Sequence, residues 1–294
     1  MIEVPYLPRA IENSIRNSKG DWDESKIHVS DLAVTLENQN DKKCPRQFWM
    51  RLRDYPKRDK HIGEIIMFDH GHRIHERLDS YIRDGIEPPF GVYACEMPVT
   101  FAGESITGTT DYILKNEETG ELVVVDFKTS RGKAFYYLDE NGPKESNVLQ
   151  VQSYMYGLNT MEENPKMGLV LYVDREGQNG MRQFPVERDD ERVKKAITQT
   201  REIAQQKIIP PKLNYNIKIR ENKGPDSLYV NMPWQCERCD YLDISCGGAL
   251  PKEYRTEEIV AKIDNNNVIK YKKGFEYFEE LIGGELNGSL QKTS

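Results

Sequence analysis

The stretch that decides the fold is Gly108-Thr109-Thr110-Asp111, followed by Val123-Val124-Val125-Asp126-Phe127-Lys128. Side chains two apart in a strand share a face, so Asp126 and Lys128 project together. The apolar run before them buries the strand and holds the pair rigidly at its end. Asn116-Glu117-Glu118-Thr119-Gly120 reads as the loop of a hairpin joining the two segments. A loop of Glu117 to Gly120 sets Asp111 opposite Asp126, and a loop one residue longer sets it opposite Val125.

Two carboxylates and an ammonium make physical sense as a phosphodiester hydrolysis site. The carboxylates hold a hard divalent ion through oxygen. The ion polarises the scissile phosphate and acidifies a bound water. The lysine places that water or stabilises charge on the phosphate. The plain alternative is an ordinary cross-strand ion pair, worth little; Asp-x-Lys alone does not separate the two.

Upstream, residues 61–84 predict a helix with Phe68, Gly71, His75, Leu78 and Ile82 on one buried stripe. That stripe faces His75 toward the core as a candidate third ligand, and imidazole tilts metal choice from Mg²⁺ toward Mn²⁺. His70 lies roughly opposite the stripe and His72 at its edge, so both are poorer candidates. Downstream, residues 146–160 read as a helix. Gln150 and Tyr154 stand at i and i+4 on one face, as do Gln152 and Tyr156, and spacing does not choose between the pairs. Either pair is amphipathic surface, or a polar face that orients the lysine or touches a phosphate.

The remaining pattern is three strands over 92–101, 105–115 and 121–129, a polar excursion over 131–145, and a short buried strand at 168–173. A helix over 189–208 follows, capped by Asp189-Asp190 and stopped by Pro210-Pro211. A hairpin followed by a helical crossover to another strand describes a mixed α/β sheet.

The chain has 294 residues, a net charge of −7 and a mean hydropathy of −0.72. No apolar run approaches the roughly 20 residues of a membrane span. The start, Met1-Ile2-Glu3-Val4-Pro5-Tyr6, does not read as a signal peptide, so a cytoplasmic protein is expected. Net acidity argues against a general polyanion binder. Residues 41–60 run the other way, with net +5 and Phe48, Trp49 and Tyr55 interleaved. That segment is either a solvated helix face or a nucleic-acid contact through Arg46, Arg51, Arg53, Lys57 and Arg58.

Five cysteines in a reducing compartment point to metal or catalysis. Cys236-Glu237-Arg238-Cys239 with Cys246 close by is a strong metal signal, and Cys44 lies far upstream. Thiolates at this spacing suit tetrahedral Zn²⁺ or an iron–sulfur cluster. Cys95, on a predicted strand, reads as a packing residue.

In this order the motifs resemble the PD-(D/E)XK nuclease superfamily, specifically its RecB-like branch with an iron–sulfur cluster. That branch includes CRISPR-associated RecB-like exonucleases, the AddB nuclease domain and phage relatives. The resemblance is carried by Ser30-Asp31-Leu32, Cys44-Pro45-Arg46, Gly71-His72-Arg73-Ile74-His75, Gly108-Thr109-Thr110-Asp111, Asp126-Phe127-Lys128, Gln150-Val151-Gln152-Ser153-Tyr154 and Cys236, Cys239 and Cys246, across roughly residues 28–250.

It implies a restriction-endonuclease-like mixed β-sheet core flanked by helices, with an iron–sulfur subdomain formed from N- and C-terminal segments. The implied division is 1–60, a nuclease core at 61–210, a cysteine-rich segment at 211–250, and an extension at 251–294 that matches nothing familiar. It implies Mn²⁺ or Mg²⁺ on His75, Asp111, Asp126 and the backbone carbonyl of Phe127, with Lys128 catalytic. Gln150 and Tyr154 become the Gln-x-x-x-Tyr motif, and Cys44, Cys236, Cys239 and Cys246 hold a 4Fe–4S cluster, with Zn²⁺ the alternative. The second carboxylate is Asp where many members have Glu.

The expected function is a DNA exonuclease working on single strands or ends in recombination, replication or CRISPR adaptation, inside a bacterial, archaeal or phage-infected cell. The alternative is a non-catalytic DNA-binding partner subunit. Besides DNA, recombination or replication proteins or a second copy of the chain are compatible partners, and no membrane is expected.

Overall fold

The computed structural model describes residues 23–101, 106–130, 132–161, 163–177, 179–213, 216–220, 227–247, 253–255, 260–262, 268–270 and 291–292. It divides into a unit of residues 1–48 and 60–207 and a unit of residues 49–59 and 208–294. Along the chain come β1 (Ile27–His28), a 3₁₀ helix (Val29–Thr35), α1 (Pro45–Arg51), α2 (Ile62–Gly85), β2 (Phe90–Cys95), β3 (Pro98–Thr100), β4 (Ile106–Thr109), β5 (Tyr112–Asn116) and β6 (Leu122–Ser130). They are followed by α3 (Lys133–Asn141), α4 (Glu145–Thr160), β7 (Met167–Asp174), β8 (Met181–Glu187) and α5 (Asp190–Gln205).

The first unit is built on a five-stranded mixed sheet in the order β2-β5-β6-β7-β8, in which only β6 and β7 run parallel. Helices α3 and α4 supply the crossover that a parallel pair requires. Strand β6 is central and buried on both faces, which is why it reads as a continuous apolar run. Val125 and Phe127 join Tyr112 and Leu78 in a core under α2, with Ile74 and Ile82 packed against it. The opposite face receives α4. A Cβ on Gly168 of β7 would collide with Val151 Cγ1 of α4 and sit 3.3 Å from the Val124 carbonyl oxygen. Gly168→Ala is therefore expected to destabilise the protein by roughly 1–3 kcal/mol through overpacking, read as a lower urea midpoint at unchanged slope.

Three expectations are corrected. The segments 92–101 and 105–115 are each two strands, not one. β3 and β4 leave the large sheet and form a second one in the order β1-β4-β3. Both strands break at one level, where Glu96 takes φ 47° and its N–H donates to the Asp111 carbonyl. The stretch 131–145 contains helix α3, fastened by buried Phe135 and Leu138. The α2 stripe is shorter than expected: Leu78 is its one buried residue and Phe68 is 62% exposed. Only the span from Ile74 to Ile82 rests on the sheet core. Strand β8 went unread; it is an edge strand, as Pro185 within it requires.

The helix expected at 189–208 is α5, and the Asp189 carboxylate caps it by accepting from the Arg192 N–H at 2.9 Å. Among the described residues, no helix is long and apolar enough to cross a membrane.

The second unit has its own small core of Trp49, Met50, Cys236, Cys239, Tyr241 and Leu242, against which Cys246 also packs. Short helix α6 (Trp234–Glu237) carries Cys236, and the Cys239 N–H donates back to the Cys236 carbonyl at 3.2 Å. Strands β9 (Asn216–Arg220), β10 (Ser227–Asn231), β11 (Glu253–Arg255), β12 (Val260–Lys262), β13 (Val268–Lys270) and β14 (Gln291–Lys292) pair as β11-β10-β9-β14 and β12-β13. Most of the extension at 251–294 lies outside the described residues.

Candidate active site

Asp111 sits where the chain passes from β4 into β5, at the break between the two sheets. The register Tyr112↔Val125 places it, one step on, opposite Asp126, as the shorter hairpin loop predicts. Its Oδ2 accepts from the Phe127 N–H at 2.6 Å, which locks the carboxylate to the central strand. Its Oδ1 lies 3.7 Å from His75 Nδ1, and the His75 ring meets Phe127 edge-on at 5.6 Å between centroids. His75 thus approaches from the α2 side of the sheet.

Asp126 and Lys128 project to the other side, toward α4. Lys128 Nζ stands 2.6 Å from Asp126 Oδ2. This contact is ionic but poorly angled, and that fully buried oxygen has no hydrogen-bond partner. Gln150 Nε2 donates to the Tyr154 hydroxyl at 2.9 Å, and the Thr109 N–H donates to the same oxygen. Gly108 makes this approach possible, since a Cβ there would lie 2.9 Å from Tyr154 Cε1 and 2.7 Å from Val29 Cγ2. The other pair points elsewhere: buried Gln152 donates to the Glu187 carbonyl at 3.0 Å.

Burial dominates the electrostatics. It pushes Asp126 up to about 6, aided by the Asp111 charge and resisted by Lys128. Burial raises Asp111 as well, against Lys128 and the Phe127 N–H. Burial works against the Lys128 ammonium, but Asp126 and Asp111 outweigh it and hold its pKa above the ordinary lysine value. Burial, and then the Lys128 charge, lower His75, which favours the neutral imidazole a metal ligand needs. Burial raises Tyr154, so it stays a phenol.

Among the described residues, no group of three or more His, Cys, Asp or Glu side chains converges in a metal-holding arrangement. The donor chemistry still fits a hard divalent ion. Mg²⁺ is commonly held by one or two carboxylates, with waters and substrate oxygens completing its shell. A buried carboxylate, Asp126, carrying an oxygen without a hydrogen bond, and a half-buried one, Asp111, both with raised pKa values, are what such a cation would relieve.

A family model of the PD-(D/E)XK nuclease superfamily matches residues 70–246, which contain the whole constellation. The chain belongs to the PD-(D/E)XK nuclease superfamily. Its members cleave DNA and use divalent metals such as Mg²⁺ or Mn²⁺. The solved structure of SSO0001 is similar at 15% identity and a TM-score of 0.47, covering 84% of this chain and 99% of that one. LHK-Exo, an alkaline exonuclease from Laribacter hongkongensis, is similar in its complex with dAMP at 13% identity and 0.44, over 61% and 86%. A phage-related exonuclease from Haemophilus somnus 129PT follows at 14% and 0.40, over 61% and 93%. No curated protein matches the sequence.

The cysteines divide between the units. Cys236, Cys239 and Cys246 share the core of the second, while Cys44 is buried in the first. Cys95 does more than pack, because Arg83 Nη2 lies 2.6 Å from its sulfur. In the basic segment, Arg53 stacks on Trp49 at 4.0 Å and Arg58 pairs with Asp240 at 3.2 Å, while Lys57 is exposed. Arg46 and Arg51 lie half-buried on α1.

Sequence reasoning missed Tyr172. It stands in register with Lys128 on the parallel neighbour β7, and its hydroxyl accepts from the Lys144 N–H at 3.0 Å and Asn147 Nδ2 at 2.6 Å. A parallel register across a long crossover leaves no local trace, so the strand was legible but its partner was not.

Proposed function

We propose that this superfamily member is a metal-dependent DNA exonuclease of the RecB-like, iron–sulfur type, acting on single strands or DNA ends. The observation that carries nuclease chemistry is the meeting of Asp111, Asp126 and Lys128 on the central strand, with Asp126 fixed by burial, Asp111 by a backbone hydrogen bond and Lys128 by its ion pair with Asp126. The end-directed, single-strand preference rests on the resemblance of the ordered motifs.

Asp111 and Asp126, with His75 and the Phe127 carbonyl beside them, hold the divalent ion in this reading. When bound, that ion acidifies water and polarises the phosphate. Lys128 does the chain's own electrostatic work: its ammonium, held charged by the two carboxylates, faces the phosphate and stabilises the charge that develops there. Tyr154 and Gln150 form a neutral hydrogen-bonded wall beside Asp126. Cys44, Cys236, Cys239 and Cys246 hold a 4Fe–4S cluster that fastens the chain ends, and Arg46, Arg51, Arg53, Lys57 and Arg58 guide the strand.

The test is digestion of end-labelled single- and double-stranded DNA and of a closed circle, with Mg²⁺, with Mn²⁺ and with EDTA. Loss of label from linear DNA with the circle left intact, both linear reactions abolished by EDTA, is expected. Cutting of the circle overturns the exonuclease reading, and inertness of every substrate overturns the nuclease reading. A brown protein with broad visible absorption is expected on aerobic-free purification; a colourless, zinc-bearing one overturns the cluster assignment.

A further inference from the structure

Lys128 carries its charge on a flexible four-carbon stem, so the groups around it decide where the ammonium rests. On the Asp126 side stand a phenol and an amide, Tyr154 with Gln150. A second phenol and amide stand on the β7 side. Lys128 and Tyr172 are register partners on parallel strands, about 4.8 Å apart, with side chains on the same face. Tyr172 is 3% exposed, and its hydroxyl accepts from Asn147 Nδ2 at 2.6 Å and from the Lys144 N–H at 3.0 Å.

The two pairs are built alike. Tyr154 accepts from a side-chain amide and from the Thr109 N–H, and Tyr172 from a side-chain amide and the Lys144 N–H. Asn147, Gln150 and Tyr154 follow one another at helical spacing in α4 and share a face. Burial raises Tyr172 first of all, so it stays a phenol, and the charges of Lys128 and Asp126 act on it with opposite signs. The start of α4 has further anchors. The Asp41 carboxylate accepts from the Glu145 N–H at 2.7 Å, and Arg192 Nη2 donates to Glu145 Oε1 at 2.6 Å. Taking away the Tyr172 hydroxyl therefore leaves the helix fastened and frees the Asn147 amide.

We infer that Tyr172 is a positioning residue for Lys128, with Asn147 as its fixed partner. The pair forms a second neutral wall that confines the lysine stem from the β7 side and keeps its ammonium facing the phosphate. The inference rests on the nuclease reading and on the place of Lys128 in it. A neutral wall suits this task because it restrains the ammonium without competing with the phosphate for its charge. An acidic side chain there would bind the ammonium itself, and an apolar one would leave two donors without their acceptor.

The test compares the full-length wild type with Tyr172→Phe and Asn147→Ala, each alone and in the Lys128→Met background. Steady-state hydrolysis of an end-labelled single strand is followed with Mg²⁺. Binding of the same strand is measured by anisotropy in EDTA, and folding by thermal melting. Tyr172→Phe is expected to lower kcat roughly ten- to a hundredfold, the scale set by a misplaced reacting group. KM and binding in EDTA should stay within about twofold, a split that general loosening of the fold does not produce. Asn147→Ala is expected to lower kcat by a similar factor. In the Lys128→Met background neither substitution should slow hydrolysis further, because the group they position is gone.

A wild-type kcat in Tyr172→Phe, at whatever melting temperature, overturns the inference and leaves the nuclease reading intact. An undiminished loss in the Lys128→Met background also overturns it, since the tyrosine then acts on something other than the lysine. If Tyr172→Phe fails to fold, Asn147→Ala carries the same comparison. A wild type that cleaves no DNA overturns the nuclease reading itself.

Discussion

Lys128→Ala is expected to slow DNA hydrolysis by roughly 10²–10³-fold at saturating substrate, the usual cost of removing one preorganised electrostatic group from a reacting phosphate. Binding of DNA should change far less, because a group that acts mainly on developing charge lowers kcat and kcat/KM together. The variant also strips buried Asp126 of its cationic contact, so that carboxylate becomes easier to protonate. Lys128→Met, which keeps the apolar stem, separates lost charge from lost packing. Initial rates on a labelled single strand, with thermal melting of each variant as control, check this. Hydrolysis within threefold of wild type in both variants removes Lys128 from the reaction.

A second large effect is expected in the stability of the metal-free protein. Asp126 is pushed up to about 6 by burial, from an ordinary value of 3.8. Below pH 4 it is protonated in folded and unfolded chains alike and makes no difference between them. Between pH 4 and 6 the unfolded chain releases this proton more readily than the folded one, so stability falls as pH rises. The full interval corresponds to roughly 3 kcal/mol.

Asp111, also raised by burial, adds in the same direction. His75, lowered by burial, opposes it: its contribution is lost as pH falls below 6.5. The wild type is therefore compared with Asp126→Asn by urea unfolding across pH 4–7 in EDTA. Wild type is expected to lose stability relative to the variant as pH rises. Millimolar Mg²⁺ should flatten that difference, since an ion on the carboxylates favours their charged forms. A difference that is flat in EDTA contradicts the environment described for Asp126.

Much of this site was legible because its parts obey short-range rules. The hairpin narrowed Asp111 to a place opposite Asp126 or Val125, of which the structure takes the first, and alternation along β6 put Asp126 and Lys128 on one face. What escaped was set by partners far away in sequence. The crossing of β3 and β4 into a second sheet carries one local mark, Pro98 at the first position of β3, but that proline does not reveal that the partner strand breaks at Asp111 on the same level. The α2 stripe was read too long because periodicity shows which face of a helix is apolar, not how far the opposing sheet extends. Phe68 keeps the pattern yet lies beyond the core around Leu78. Helix α3 escaped because the glycines and charged residues around it make 131–145 read as polar, although its own run from Ala134 to Leu138 is apolar and aromatic; Phe135, Leu138 and Arg182 hold it.

The break shared by the two sheets has a practical side. His75 reaches Asp111 from beneath the central strand, whereas Lys128, Tyr154 and Tyr172 occupy the space above it. The strand works as a partition with Asp111 set into its edge. A substitution at position 75 acts on Asp111 from one side of the strand, and a substitution on α4 at Tyr154 acts on Asp126 from the other. The partition is not an insulator: His75 feels the charges of Lys128 and Asp126, and Tyr154 those of Asp126 and Asp111, so variants on the two faces should depart from simple multiplication when combined.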